Sequence, residues 1–275
     1  MRSKIIWVVF LTFVLAMGAA LYVGCGGDDD DDDDDSGDDD SGGDRTIQAQ
    51  VSDFPSYAPV QGALVEVVDN DTGQPVDPPI QVTSPSDGQV TVTIPEELGD
   101  QVGIKTSKEN YHNTYQYNFD VGSTNEDFLI VSRVTSGLIA QLLDTPLEAD
   151  KSHAAGGVYW GDPTDENPIG CAEITTDPPN PGNIHYMGSD DLPAKDRDIT
   201  TPGDPQSGEG TNPSFGHFVS VNMDVGTPVT ITANADGVEE EVLLPALFAD
   251  SICIVNVYYS KDDYDSDPTG DWCTE

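Results

Sequence analysis

The chain of 275 residues carries 51 Asp and Glu against 10 Lys and Arg, a formal net charge of −41. That balance excludes nucleic acid as a partner, because phosphate contacts need clustered Lys and Arg. It also argues against docking on an anionic membrane surface, and leaves cations, glycans and proteins as partners.

The chain opens on a targeting pattern. Arg2 and Lys4 precede an almost wholly apolar run from Ile5 to Gly24, which ends at Cys25. Such a segment is set aside from fold reasoning. With Val23-Gly24-Cys25 it resembles a bacterial lipoprotein signal (residues 1–24), and the resemblance implies that Cys25 is lipidated and becomes the first mature residue. The alternative is an uncleaved anchor, since about twenty apolar residues span a bilayer. Both readings place the remainder outside the cytoplasm and tied to a membrane. Lipid anchoring implies the cell envelope, at the outer membrane or cell surface.

Residues 25–44 follow as a tether. Twelve aspartates fall between positions 28 and 44, separated only by Ser and Gly. Neighbouring like charges repel and no apolar side chain offers burial, so an extended, disordered acidic spacer is expected.

From Thr46 onward short strands are expected: "TIQAQV" (Thr46 to Val51), "ALVEVV" (Ala63 to Val68), "QVTVTI" (Gln89 to Ile94) and "FLIVSRV" (Phe128 to Val134). They are rich in Val, Ile and Thr, and turn residues separate them, as in an all-β sandwich. The pattern then recurs. Gly88 before one alternating strand matches Gly216 before another; Gly99 matches Gly226; "VGIKT" matches "VTITA"; "FLIVSRV" matches "CIVNVYY" (Cys253 to Tyr259). "APVQGALVEV" from Ala58 is matched by "NPIGCAEIT" from Asn167. The expected organisation is two tandem β-sandwiches at 45–134 and 154–262. A linker at 135–153 holds a short helix, with Leu138, Ile139, Leu142 and Leu143 at helical spacing, Ser136 as its cap and Pro146 beyond its end. Residues 263–275 form an acidic tail.

Pro59, Gly62, Ala63 and Val65, then Ser86-Asp87-Gly88 before an alternating strand, then Asn110-Tyr111, carry a family resemblance. The first module is similar to the carboxypeptidase regulatory-like domain, a transthyretin-like sandwich; an Ig-like sandwich shares the architecture. The resemblance implies accessory, structural or binding units without catalytic residues, although a fold alone does not fix function.

Candidate chemistry concentrates in the second module and the tail. The second copy carries a longer insertion at about 180–212, read as a loop, with His185, Tyr186, Asp190 and Asp191 as candidate ligand-binding residues. In the tail, Asp263, Asp265 and Asp267 alternate like the first ligands of a calcium loop, with Asp271 as a further oxygen donor, but Pro268 stands where the sharp-turn Gly belongs. Calcium is the one ion the sequence suggests; no cofactor is expected. With Cys25 lipidated, one disulfide is expected among Cys171, Cys253 and Cys273, with connectivity open.

Enzyme signatures are missing. The histidines His112, His153, His185 and His217 fall in separate segments without metal-ligand spacing. No Gly-x-Ser-x-Gly elbow and no phosphate loop occurs. Transthyretin-like sandwiches include iron-dependent ring-cleaving dioxygenases, and His185, Tyr186 and His217 would be the residues of such a site, but no motif supports it. Tyr115, Tyr117 and Phe119, spaced by twos, are expected on one face of a strand, either packed or as a stacking platform for sugars. The sequence reading is a non-catalytic surface module for a glycan or protein ligand, with calcium-dependent adhesion or assembly as the alternative.

Overall fold

The computed structural model describes residues 45–54, 56–161, 167–169, 172–187, 192–194, 216–235 and 237–260. Its first half runs β1 (Thr46–Phe54), β2 (Ala58–Pro59), β3 (Leu64–Val68), β4 (Gln81–Thr83), β5 (Gln89–Thr93), a 3-10 turn (Glu96–Leu98), β6 (Gln101–Ser107), β7 (Asn113–Asp120) and β8 (Glu126–Val131). Helix α1 (Arg133–Leu143) follows. The second half runs β9 (Ser152–Trp160), β10 (Asn167–Pro168), β11 (Glu173–Asp177), β12 (Ile184–Met187), β13 (Pro193–Ala194), β14 (His217–Met223), β15 (Val229–Ala235), β16 (Val238–Leu244) and β17 (Ser251–Tyr259). The fold is all-β apart from α1 and comprises two sandwiches in tandem.

One wiring scheme is used twice. In the first half β1 pairs antiparallel with β2 and β5 and parallel with β8. In the second β9 pairs antiparallel with β10 and β14 and parallel with β17. The opposing sheets match as well: β3-β6-β7 in one, β11-β15-β16 in the other. The equivalence extends to single bonds. Val60 N–H donates to Val51 O at 2.8 Å, and Val51 N–H to Gly88 O at 2.8 Å. Ile169 N–H donates to Val158 O at 2.8 Å, and Val158 N–H to Gly216 O at 3.0 Å. The matched turn glycines Gly99 and Gly226 both sit at left-handed φ, 76° and 77°, where a Cβ would be strained.

The sandwiches do not simply follow one another. The first three residue pairs of β17 lie parallel to β7, Ser251 against Asn113 through Cys253 against Tyr115. This seam merges two sheets into one of ten strands, in the order β13-β12-β14-β9-β17-β7-β6-β3-β4 with β10 on β9. Side chains alternate across a strand, so the merged sheet has two faces. On one, Val65, Val67, Val102 and Ile104 join Ile47, Val51, Val90, Val92, Phe128 and Ile130 in the first core. The other carries the second core, built from Ala154, Val158, Phe218, Cys253, Val255, Val257 and Tyr259 against Ile174, Ile231 and Leu244.

A third apolar cluster lies where these meet. Leu129 and Val131 of β8 and Leu143 of α1 pack on Ala155, Val219, Val221, Ile252 and Ile254, on the side of the second sandwich's sheet that faces away from its own core. Strand β8 therefore buries both faces, Phe128 and Ile130 on one and Leu129 and Val131 on the other. That explains its unbroken apolar run.

Helix α1 begins earlier than the expected cap. Ser132 is the N-cap, its Oγ accepting from Thr135 N–H at 3.0 Å. Ser136 lies inside the helix, where it is buried. Asp144, in left-handed conformation, ends the helix two residues before Pro146. The insertion at 180–212 is not loop throughout, since it contributes β12 and β13 to the merged sheet.

Candidate functional site

The chemistry-bearing side chains of the described residues gather at the junction of the two sandwiches. Four elements meet there: the start of β7, the first turn of α1, the turn before β17 and the start of β9. His112 N–H donates to Val131 O at 3.0 Å and Arg133 N–H to Asn110 O at 3.0 Å, fixing the β7 start against the entry to α1. Asp250 N–H donates to Lys151 O at 2.9 Å, fixing the β17 turn against β9.

Within this frame His112 Nε2 lies 2.8 Å from Ser136 Oγ, and its Nδ1 lies 3.1 Å from Asp250 Oδ1. The guanidinium of Arg133 grips the same carboxylate with both arms, at 3.0 and 2.5 Å. An ionised Asp250 only accepts, so Nδ1 carries the proton of neutral His112 and Nε2 accepts from Ser136. The Arg133 bond, with smaller help from His112, holds the Asp250 carboxyl below its ordinary range. Burial, reinforced by the Arg133 charge, lowers His112. A second imidazole sits alongside: His153 Nδ1 accepts from Asn222 N–H at 3.1 Å, and burial, reinforced by His112, lowers its pKa to about 4.

Serine, histidine and aspartate joined in this order have the connectivity of a nucleophile, a base and an orienting carboxylate. Two features turn it to another use. Ser136 and His112 are only 4% and 5% exposed, so an acyl group has no path to the hydroxyl. Arg133 also neutralises the carboxylate that would have to stabilise an imidazolium. The arrangement is a satisfied polar junction between two apolar cores.

Aromatic packing supports the same junction from the other face. Phe248, from the segment before β17, stacks on Tyr115 of β7 with centroids 4.6 Å apart, and Tyr117 donates its hydroxyl proton to Ala246 O at 3.1 Å. Tyr115 and Tyr117 share a face, as their spacing implies, and that face is covered by the second sandwich. Phe119 does not join them. A bulge in the β6–β7 register and left-handed Asn118, at φ 64°, turn it to the first core, where it meets Phe128 edge-on at 5.1 Å.

The sequence-predicted site residues are dispersed. His185 and Tyr186 are both buried on β12 rather than displayed on a loop. Neighbours on a strand point to opposite faces. Tyr186 enters the second core and its hydroxyl accepts from Ile174 N–H at 2.8 Å. His185 is 7% exposed, its pKa lowered by burial, and its Nε2 has no hydrogen-bond partner. His217 joins Tyr159 instead, Nε2 lying 3.1 Å from the Tyr159 hydroxyl. Asp190, Asp191, Asp263, Asp265, Asp267, Asp271, Cys25, Cys171 and Cys273 lie outside the described residues. Cys253 is a free thiol within the second core, pushed up to about 12 by burial. Among the described residues no group of three His, Cys, Asp or Glu is placed to hold a metal ion, and no helix is long and apolar enough to cross a membrane.

What sequence reading missed is the meeting of Ser136, His112, Asp250, Arg133 and His153. The available signal was a histidine inside "ENYHNTY", directly ahead of a strand, where an exposed loop would not need one.

No family model matches the chain, and no curated protein matches it. Solved structures give distant similarities. A type II cohesin–X-dockerin complex from Acetivibrio cellulolyticus is 14% identical over 44% of this chain and 80% of that one, with a TM-score of 0.23. A streptococcal ancillary pilin is 8% identical over 78% and 61%, with a TM-score of 0.22. The shaft pilin SpaA of Lactobacillus rhamnosus GG is 9% identical over 78% and 97%, with a TM-score of 0.23. At that level of similarity no property of these proteins transfers to this one.

Proposed function

We propose that the protein is a non-catalytic, lipid-anchored module of the cell envelope, at the outer membrane or cell surface. Its two sandwiches act as one structural or binding body for a glycan or protein, held off the membrane by the acidic tether. The observation that carries this reading is the β7–β17 seam, with its polar junction on one side and the Phe248–Tyr115 stack on the other. Residues that would serve catalysis elsewhere are spent on joining the halves. A body that transmits force or spacing needs such a joint, whereas a pair of independent domains would keep a short, exposed linker. The resemblance of residues 58–111 to the carboxypeptidase regulatory-like domain supports an accessory role.

Two measurements test it. Calorimetry of the full chain is expected to give one transition with equal calorimetric and van't Hoff enthalpies. Two separable transitions would refute the single body. The intact mass of the exported protein is expected to begin at an acylated Cys25, and a chain that retains Met1 would overturn the lipid anchor while leaving the single body standing.

A further inference from the structure

The segment from α1 to β9 is a strap that crosses from one sandwich to the other, and two imidazoles hold it. His112 bonds the body of α1 through Ser136. His153 acts one step further away. Its Nδ1 accepts the backbone N–H of Asn222, which sits at left-handed φ 56° in an irregular part of β14. The side chain of Asn222 in turn ties down the strap beyond α1. It donates to Pro146 O at 3.0 Å and accepts from Glu148 N–H at 2.9 Å. Under the strap lies the third apolar cluster, with Leu143 and Leu147 packed on Val219, Val221, Ile252 and Ile254.

We propose that His112 and His153 form a proton-operated latch: at neutral pH they clamp the α1 strap, and on acidification they release it and uncover the apolar sheet face beneath.

The charge count around the site sets the direction. From α1 the imidazoles face Arg133; from the turn before β17 they face Asp250; from one another they face a second imidazole. Ser136 and the Asn222 amide are neutral. Lys151, two residues before His153, is turned to Asp224 at 2.5 Å. With both imidazoles neutral, one cation balances one anion. With both protonated, three cations share the single, partly exposed Asp250 carboxylate while the two rings themselves stay buried, which is unfavourable for the closed state. Geometry adds to this. A proton on Nδ1 of His153 turns an acceptor into a donor that faces the Asn222 N–H, and the hold on Pro146 and Glu148 loses its anchor. Burial already disfavours charge on both rings, so acidification favours any state that lets them reach water.

The test is amide hydrogen exchange on the full-length protein from about pH 7.5 to about pH 4.5, corrected for intrinsic exchange, with peptides covering 133–151 and 47–51. Each imidazole favours the open state by up to about tenfold per pH unit below its ordinary value. The strap peptides are therefore expected to lose at least about tenfold in protection by about pH 5 while 47–51 stays protected. His153→Asn keeps an acceptor for Asn222 N–H, and His112→Asn keeps a donor for Asp250; the double variant is expected to remain closed in acid. A wild-type strap that stays protected through the range, or a double variant that opens with the same pH dependence, would overturn the proposal. If the variant does not fold, the imidazole resonances of the wild type decide. A His153 titration that coincides with strap opening supports the latch, and one that leaves exchange unchanged sinks it.

Discussion

The β9–β17 ladder carries the second sandwich into the seam, and Gly156 shows how closely its strands approach. Nine residue pairs run from Ser251 against Ser152 to Tyr259 against Trp160. A Cβ on Gly156 would overlap the Val255 carbonyl oxygen and lie 2.6 Å from its carbon, all backbone atoms with no flexible end to turn aside. Gly156→Ala therefore has to part the strands. Overpacking costs about 1–3 kcal/mol. A local bulge forfeits about two ladder hydrogen bonds worth roughly 1 kcal/mol each. The expected loss is about 3–5 kcal/mol, a large share of a typical domain's stability of roughly 5–15 kcal/mol. Gly137 is the internal control. It is exposed on α1 with nothing within 4 Å of an added Cβ, so Gly137→Ala is expected to stabilise by about 1 kcal/mol. Urea unfolding of the full-length protein, followed by circular dichroism, reads both. A Gly156→Ala protein within about 1 kcal/mol of the parent would mean that β9 and β17 do not pair in this register.

Stability is expected to fall as pH drops. His153 titrates near 4 in the folded protein against an ordinary 6.5, so its contribution is complete above about 6.5 and lost progressively toward about 4, worth about 3 kcal/mol in denaturation midpoints taken along that range. Ser132→Ala removes the cap of α1 and is expected to cost about 1 kcal/mol in the same urea assay. The Cys253 thiol is fully buried and held up to about 12, so iodoacetamide is expected to modify it only as fast as the protein unfolds. Added salt is expected to raise the melting temperature between about 0.01 and about 0.5 M, and a fall would show that ion pairs outweigh self-repulsion.

The repeat was legible because its carriers are local. The turn glycines Gly99 and Gly226, the buried pair Val60 and Ile169, and the buried pair Ala63 and Ala172 each leave a mark in their own segment. Gly88 and Gly216 also align, and both leave room for the equivalent carbonyl, since a Cβ on Gly88 would lie 2.8 Å from Val51 O. A Cβ on Gly216 would meet the carbonyl oxygens of Val158 and Ile169 at 2.5 and 2.6 Å, and Gly88 in addition occupies left-handed φ 76°. The seam was not legible, because no local signal marks which free edge a parallel strand will join. The start of α1 was misplaced for a related reason. Ser132 and Ser136 are equally good caps in isolation, and the choice is made by His112, which engages Ser136 from another segment. Phe119 reversed its face through a bulge that alternation cannot foresee. His185 and Tyr186 looked like loop residues because "IHYM" is too short to alternate, yet Ile184–Met187 pairs with β14 and lies inside the sheet.

The junction also reflects a shortage of cations. Only five Lys or Arg fall among the described residues, and each is engaged: Arg45 with Asp100, Lys105 with Glu66, Arg133 with Asp250, Lys151 with Asp224, and Lys108 over the Tyr111 ring. Three of these contacts join separate elements, and one of them, Arg133 on Asp250, lies where the halves meet. Lys105 bridges β6 to the buried Glu66 of β3, Arg133 bridges α1 to the turn before β17, and Lys151, just ahead of β9, bridges to the segment after β14. Such pairs are partly exposed and individually worth little. Their value is positional, since in so acidic a chain an uncompensated carboxylate at a joint would push the joint apart. The same shortage limits recognition. Each of these five cations already faces a carboxylate or an aromatic ring, which disfavours an anionic partner at the described surface. It also explains why an acid-driven release would centre on histidine. Protonation supplies this joint with positive charge it otherwise lacks, at the one place where Arg133 has already satisfied the available carboxylate.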